Sequence, residues 1–248
     1  MRIAAIADVH GNLPALDAVL ADIARRGADV VVNLGDHCSG PLLPVETAER
    51  LMALALPTVG GNCDRQVADA RLEAMGPSDR HAALLLGEPH VAWLRGLPAT
   101  LRLMDDVLLV HGTPESDLTY WLESVDDRGA RQATEIEVRD RADGVYFSLA
   151  LCGHTHNPRM IRLGDGRTVV NPGSVGLPAF VEETPSPHVI EAGSPHARYA
   201  IVERAGAEWS VELHAVAYDW EAMARLAHEN GRDDWAIALR TGRTRQGG

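Results

Sequence analysis

Positive charge is scarce in this chain. Lysine and arginine total 23 against 35 aspartates and glutamates over 248 residues, a formal charge of −12 at pH 7. That balance argues against an extended nucleic-acid-binding surface, which needs clustered basic side chains to neutralise phosphates. Cysteine is scarce too. Cys38, Cys63 and Cys152 are an odd set without CxxC spacing, so a secreted disulfide framework is not expected and a cytoplasmic setting is. No apolar run approaches the ~20 residues that cross a bilayer, and no membrane association is expected. The first residues run straight into Ile3-Ala4-Ala5-Ile6-Ala7, with no basic segment, longer apolar stretch or small-residue cleavage site ahead of them. No signal peptide is expected there. Internal repeats, low-complexity tracts and linkers are also missing.

What remains is a chain that is 46% hydrophobic, ample for a large core without disulfides. The first half alternates strand and helix patterns. Ile3–Ala7 reads as a buried strand. Leu13, Leu16, Val19, Leu20 and Ile23 recur at helical spacing behind an Asn12 cap, and Gly27 stops them. Val30–Leu34 is a second strand, Val45–Leu56 a helix and Pro57–Val59 a short third strand. Such a βαβα opening predicts parallel strands covered by helices. Residues 67–97 read as helical. Leu101–Met104 and Val107–His111 form a hairpin, and 115–144 read as a polar loop and charged helix, a candidate cap. Tyr146–Cys152 is a strand, Arg159–Leu163 pairs with Thr168–Asn171, and 184–196 reads as an irregular loop. Arg198–Glu203 pairs with Trp209–Val216 before a helical stretch over 219–240. One domain over 1–248 is expected, of α/β class, with two sheets in a sandwich flanked by helices.

Five polar motifs follow the strands: Asp8-Val9-His10, Gly35-Asp36, Gly61-Asn62-Cys63-Asp64, His111-Gly112 and Gly153-His154-Thr155-His156. The C-terminal ends of strands in such folds are where binding groups collect. Each motif alone is weak, because a strand-end histidine is usually just hydrogen-bonded. Together they offer two carboxylates, an amide oxygen and four imidazoles, a donor set for two divalent cations. On a continuing strand Asp8 and His10 would project to one side. A carboxylate such as Asp36 has two oxygens and can bridge two ions. Two cations roughly 3.5–4 Å apart are a standard clamp for a phosphate ester under in-line attack. The two aspartates against two divalent ions leave the loaded centre near +2, a local field that an acidic surface screened beyond ~8 Å does not cancel. The mixed donors suit manganese first, with iron, nickel or zinc as alternatives.

In these motifs the chain resembles the calcineurin-like metallophosphoesterase superfamily, from residue 8 to 156. The likeness continues in Asn171-Pro172-Gly173-Ser174-Val175-Gly176, similar to a turn in its small bacterial and archaeal members, a phosphodiesterase-like branch. The resemblance implies a four-layer αββα sandwich of two mixed sheets flanked by helices. It also implies one metal on Asp8, His10, Asp36 and His156, and a second on Asp36, Asn62, His111 and His154. A hydroxide shared by the ions would be the nucleophile.

Two departures from the pattern bear on chemistry. Many members have histidine where Cys63 stands, and that imidazole assists the leaving group. A thiol is a weak donor, so substrates with stable leaving groups are favoured. The expected activity is hydrolysis of small phosphodiesters. The alternatives are a dinucleoside polyphosphate (Ap4A-type) hydrolase, a phosphomonoesterase, or a non-catalytic metal-binding scaffold. His37 follows Asp36 and is a candidate for the missing acid, although a solvent-bonded loop histidine is the blander reading. Asp36, Asn62, Asp64 and His37 are thus the candidates for catalysis, with Asp64 expected to orient a ligand histidine. Arg65, Cys63 and His111 are the candidates for contact with a phosphate-ester or nucleotide substrate. Asn171-Pro172-Gly173-Ser174 is expected to be a turn that supports His154 and His156. The five tryptophans are expected to pack in the core, with Tyr120-Trp121 in the polar segment as an alternative nucleobase contact. Oligomeric state is open.

Overall fold

The computed structural model describes residues 1–206 and 208–245. In chain order the elements begin with β1 (Arg2–Ile6), α1 (Leu13–Arg26), β2 (Val30–Asn33), α2 (Pro44–Leu54), α3 (Asn62–Asp69), α4 (Pro77–Leu85) and α5 (Glu88–Arg95). Then follow β3 (Thr100–Met104), β4 (Val107–Val110), β5 (Glu123–Asp126), β6 (Gly129–Gln132), α6 (Glu135–Asp140), β7 (Leu149–Leu151), β8 (Pro158–Arg162) and β9 (Thr168–Pro172). The chain continues through β10 (Ala179–Glu182), β11 (His188–Glu191), β12 (Ala197–Ala205), β13 (Glu208–Val216), α7 (Trp220–Glu229) and α8 (Asp233–Thr241).

Two mixed sheets face each other. One has the order β13-β12-β1-β2, with β1 and β2 parallel and the others antiparallel. The second has the order β3-β4-β7-β9-β8, parallel through β4, β7 and β9. Alternation along β1 explains the layering. Ile3, Ala5 and Ala7 face inward to meet Leu109, Leu149, Leu151 and Val170 from the second sheet, while Ala4 and Ile6 face outward onto Leu16, Val19 and Ile23 of α1. The Asn12 side chain accepts from Ala15 N and Gly27 closes α1, as expected. The second sheet's outer face is covered by Trp121, Leu122, Val138 and Phe147.

Several expectations need correction. Pro57–Val59 is not a strand; only Thr58 makes a bridge, to Asn33. The helical stretch at 67–97 is broken where Gly76-Pro77 and Gly87 start new helices. The stretch at 219–240 is divided at Asn230-Gly231. The loop expected over 184–196 contains β11, paired antiparallel with β10. The segment 115–144 is mainly a β5–β6 hairpin followed by one six-residue helix, α6, rather than a helical cap. Its polar strands are held by side chains: Arg159 Nε donates to Glu123 at 2.8 Å and Arg131 to Glu137 at 2.8 Å.

Candidate metal centre

The loops after β1, β2, β4 and β7 and the start of α3 converge at one end of the sandwich. Asp8, His10, Asp36, Asn62, His111 and His156 are buried there, with His154 half-buried. Asp8 and His10 do not share a strand face, since β1 ends at Ile6. Instead Asp8 (φ 55°), His10 (φ 50°), Asp36 (φ 57°), His154 (φ 71°) and His156 (φ 55°) all take left-handed backbone conformations. Only Ala55 joins them among the described non-glycine residues. Each such residue costs about 1 kcal/mol or more, strain that persists where surrounding structure imposes it and that gathers at functional sites. Gly61 has no room for a side chain, because a Cβ there would strike the Asp36 carboxylate.

Among the described residues, three overlapping groups of side chains have donor atoms close enough to hold an ion: Asp8, His10 and His156; His10, Asp36 and Cys63; and Asp36, His111 and His154. His156 Nε2 lies 3.6 Å from Asp8 Oδ1, and His111 Nε2 lies 3.4 Å from Asp36 Oδ2. Asn62 Oδ1 is 3.1 Å from His111 Nε2. Asp36 thus stands between a His10 side and a His111–His154 side.

Backbone carbonyls orient the imidazoles. Nδ1 of His10 donates to Ser39 O (2.8 Å), Nδ1 of His111 to Leu34 O (2.7 Å) and Nδ1 of His156 to Leu177 O (2.7 Å). A carbonyl only accepts, so each Nδ1 carries a proton and each Nε2 is the nitrogen turned toward the centre. His154 is reversed: Nε2 meets Leu118 O at 3.1 Å, leaving Nδ1. Burial pushes His10 and His156 toward the neutral form and takes His154 down to about 4. His10 Nε2 and His156 Nε2 are nevertheless only 3.1 Å apart, two lone pairs facing each other. Asp8 Oδ2 is buried without a hydrogen-bond partner among the described residues. A cation resolves both conflicts, so the residues fit a metal. Burial pushes the Asp8 carboxyl well up. At Asp36 burial works in the same direction but is overcome by His111, which holds that carboxyl well below the usual range. Burial also opposes charge on His111, yet the Asp36 carboxylate drives that imidazole up to about 10.

The remaining predicted residues are placed differently. Asp64 orients no ligand histidine; its carboxylate accepts from the backbone amides of Asp36 (2.8 Å), His37 (2.9 Å) and Gly61 (2.8 Å), pinning the loops that carry Asp36 and Asn62. His37 is fully buried beneath that carboxylate, with Nδ1 2.8 Å from Asp64 and the ring against Trp93. It cannot reach a substrate as an acid. Arg65 is exposed, forms a two-pronged pair with Asp117 at 2.8 and 3.0 Å and is not among the residues that line the cleft. Asn171 does support the histidine loop, donating to Gly153 O (2.6 Å) and Thr155 Oγ1 (3.0 Å). Ser174 donates to Asp8 O at 2.8 Å. Trp121 is a core side chain, whereas Tyr120 faces the cleft.

That cleft, about 1030 Å³, opens over the cluster. Cys63 lines it, and burial pushes its thiol well up, so it is a neutral S–H. Asp79, Phe180 and Trp235 also line it. None belongs to a motif: they arrive from α4, β10 and α8, far along the chain.

A model of the calcineurin-like phosphoesterase superfamily domain matches residues 1–193. An uncharacterized protein of Methanocaldococcus jannaschii is 26% identical over 94% of both chains. The phosphodiesterase YfcE of Escherichia coli is 39% identical over 77 residues, 27% of this chain and 42% of that protein. Among solved structures, a metallophosphoesterase from Sphaerobacter thermophilus superposes with a TM-score of 0.73 at 25% identity, covering 96% of this chain and 98% of that one. A Pyrococcus horikoshii protein shares the fold at a TM-score of 0.72 and 20% identity, covering 97% of this chain and 98% of its own. The chain therefore belongs to the calcineurin-like phosphoesterase superfamily and is a metal-dependent phosphoester hydrolase.

Proposed function

We propose that the protein hydrolyses small phosphodiesters at a two-cation centre. Asp8, His10, Asp36 and His156 would hold one ion, and Asp36, Asn62, His111 and His154 the other. One observation carries this reading: donor groups from four loops and the start of α3 meet in one cluster with Asp36 in the middle. When bound, two divalent cations there would make a water nucleophilic near neutral pH and neutralise charge gathering on the phosphate. The chain supplies positioning. Carbonyls of Leu34, Ser39 and Leu177 fix three rings, and Asp64 fixes the backbone beside Asp36, so the donors need little rearrangement. The cleft is large enough for a nucleotide-sized ester. We read the chain as one domain in which the segment 115–144 walls this cleft. Manganese is the first metal to try, with iron, nickel and zinc behind it, because the donors mix nitrogen and oxygen.

The test is a substrate panel on protein stripped of metal and then reloaded. A bis-aryl phosphodiester, an aryl phosphomonoester and diadenosine tetraphosphate would be compared. Activity should vanish on stripping, return with manganese and be greatest on the diester. A tenfold preference for the monoester or the tetraphosphate would replace the substrate assignment. Undiminished turnover by metal-free protein would remove the two-cation reading.

A further inference from the structure

A phosphoester hydrolase must also deal with the oxygen that leaves, and Cys63, a neutral thiol at the edge of the cluster, is a poor proton donor for it. The carboxyl groups that line the cleft are otherwise committed. Glu123 is paired with Arg159, Glu137 with Arg131 and Asp234 with Arg232, while Glu182 accepts from the amides of Glu183 and Thr184. Asp79 differs. No arginine or backbone amide holds it among the described residues; its hydrogen-bond partner is the Ser39 hydroxyl, which donates to Oδ1 at 2.6 Å, and the Cys63 thiol lies near it. Cys63 in turn donates its backbone N–H to Asp36 Oδ1 at 2.9 Å. Asp79 is therefore one residue removed from the Asp36 carboxylate and opens onto the same cleft.

We propose that Asp79 is the general acid of the reaction, giving its carboxyl proton to the leaving-group oxygen. This rests on the hydrolase reading above. As the P–O bond breaks, its electron pair goes to the departing oxygen. That oxygen takes the proton from Asp79, which is left as a carboxylate and is reprotonated from solvent. The Ser39 hydroxyl fixes Oδ1 and leaves the other oxygen for the proton. In the metal-free chain burial, the largest effect, pushes the Asp79 carboxyl up to about 6 against the Ser39 hydrogen bond, which pulls it back. A carboxyl in that range retains a protonated fraction near neutral pH. Esters with basic alkoxide leaving groups then fall within the substrate range that Cys63 alone would deny.

The experiment compares wild-type and Asp79→Asn protein on methyl phosphodiesters whose second group leaves as p-nitrophenolate, phenolate or benzyl alkoxide. Metal content and melting temperature are measured alongside. The Asn variant should hold the same metal, lose about 10²-fold or more in kcat on the benzyl ester, and change little on the p-nitrophenyl ester. Cys63→His in the Asp79→Asn background should recover part of the benzyl activity, because an imidazole at that place can donate the proton instead. An equal loss across the series, or none, overturns the assignment. If Asp79→Asn melts early or loses metal, Asp79→Glu decides: it keeps an acid, and failure to preserve the wild-type leaving-group dependence overturns the proposal. A wild-type protein that cleaves none of these esters with metal restored refutes the hydrolase reading itself. An active wild type with an indifferent Asp79→Asn variant refutes only this inference.

Discussion

At the scale of single residues, the centre is held by groups that never touch an ion. Asn171 ties the histidine loop through Gly153 O and Thr155 Oγ1, and Asp64 ties three amides on the other side. Such supports typically carry 10–100-fold in metal affinity. Asn171→Ala is expected to weaken metal binding by roughly that factor while the chain remains folded. Competition against a chelating dye would measure it, and unchanged affinity would show that the loop keeps its left-handed turns unaided. The seven candidate donors, which the structure brings together, could be named from the sequence because their chemistry is local to short motifs. His37, Arg65 and Asp79 could not be placed in this way. Whether His37 points into the cleft or under Asp64 depends on the turn at Asp36, and Arg65 is claimed by Asp117 from 52 positions away. Asp79 reaches the site only because α4 packs beside α3, which no spacing reveals.

At the scale of elements, apolar patterning decided what could be read. The strands β1, β2, β4 and β12 and the helix α1 carry continuous or periodic apolar residues and lie where the sequence places them. The β5–β6 hairpin escaped because its pairing rests on ion pairs rather than alternating apolar side chains. The β10–β11 pair escaped because its second strand follows a proline-rich stretch. Helix α1 also bears a polar lock. The Asp22 carboxylate accepts from Tyr199 Oη (2.6 Å), Arg26 Nε (2.7 Å) and Arg25 (2.6 Å). Tyr199 and then Arg26 hold its carboxyl at about 2, below the usual 3.8. A depressed carboxylate stabilises the fold above the unfolded-state value, so the contribution is complete above about pH 4 and fades as pH falls toward 2. With the side chain 10% exposed, that difference corresponds to roughly 2 kcal/mol. Asp22→Asn should cost about this much in urea unfolding at pH 7, and the gap should close near pH 2. A loss independent of pH would assign the lock to packing instead of charge.

For the whole molecule, the sandwich delivers parallel strand ends from both sheets to one rim. β1 and β2 bring Asp8, His10 and Asp36; β4 and β7 bring His111, His154 and His156. Between them the core of Ile3, Leu34, Leu109, Leu149 and Trp209 fixes the spacing of the sheets, and with it the distance between the two halves of the cluster. The formal charge of −12 is no obstacle to an anionic substrate, since a centre loaded with two divalent ions reverses the sign locally.

The most direct measurement is calorimetric titration of metal-free protein with Mn²⁺, wild type beside Asp36→Asn. Two equivalents should bind to the wild type, and loss of the shared carboxylate should weaken binding at both positions by at least about a hundredfold. A wild type that takes up no ion or only one, or an Asp36→Asn variant that still binds two with the same affinity, would contradict the account.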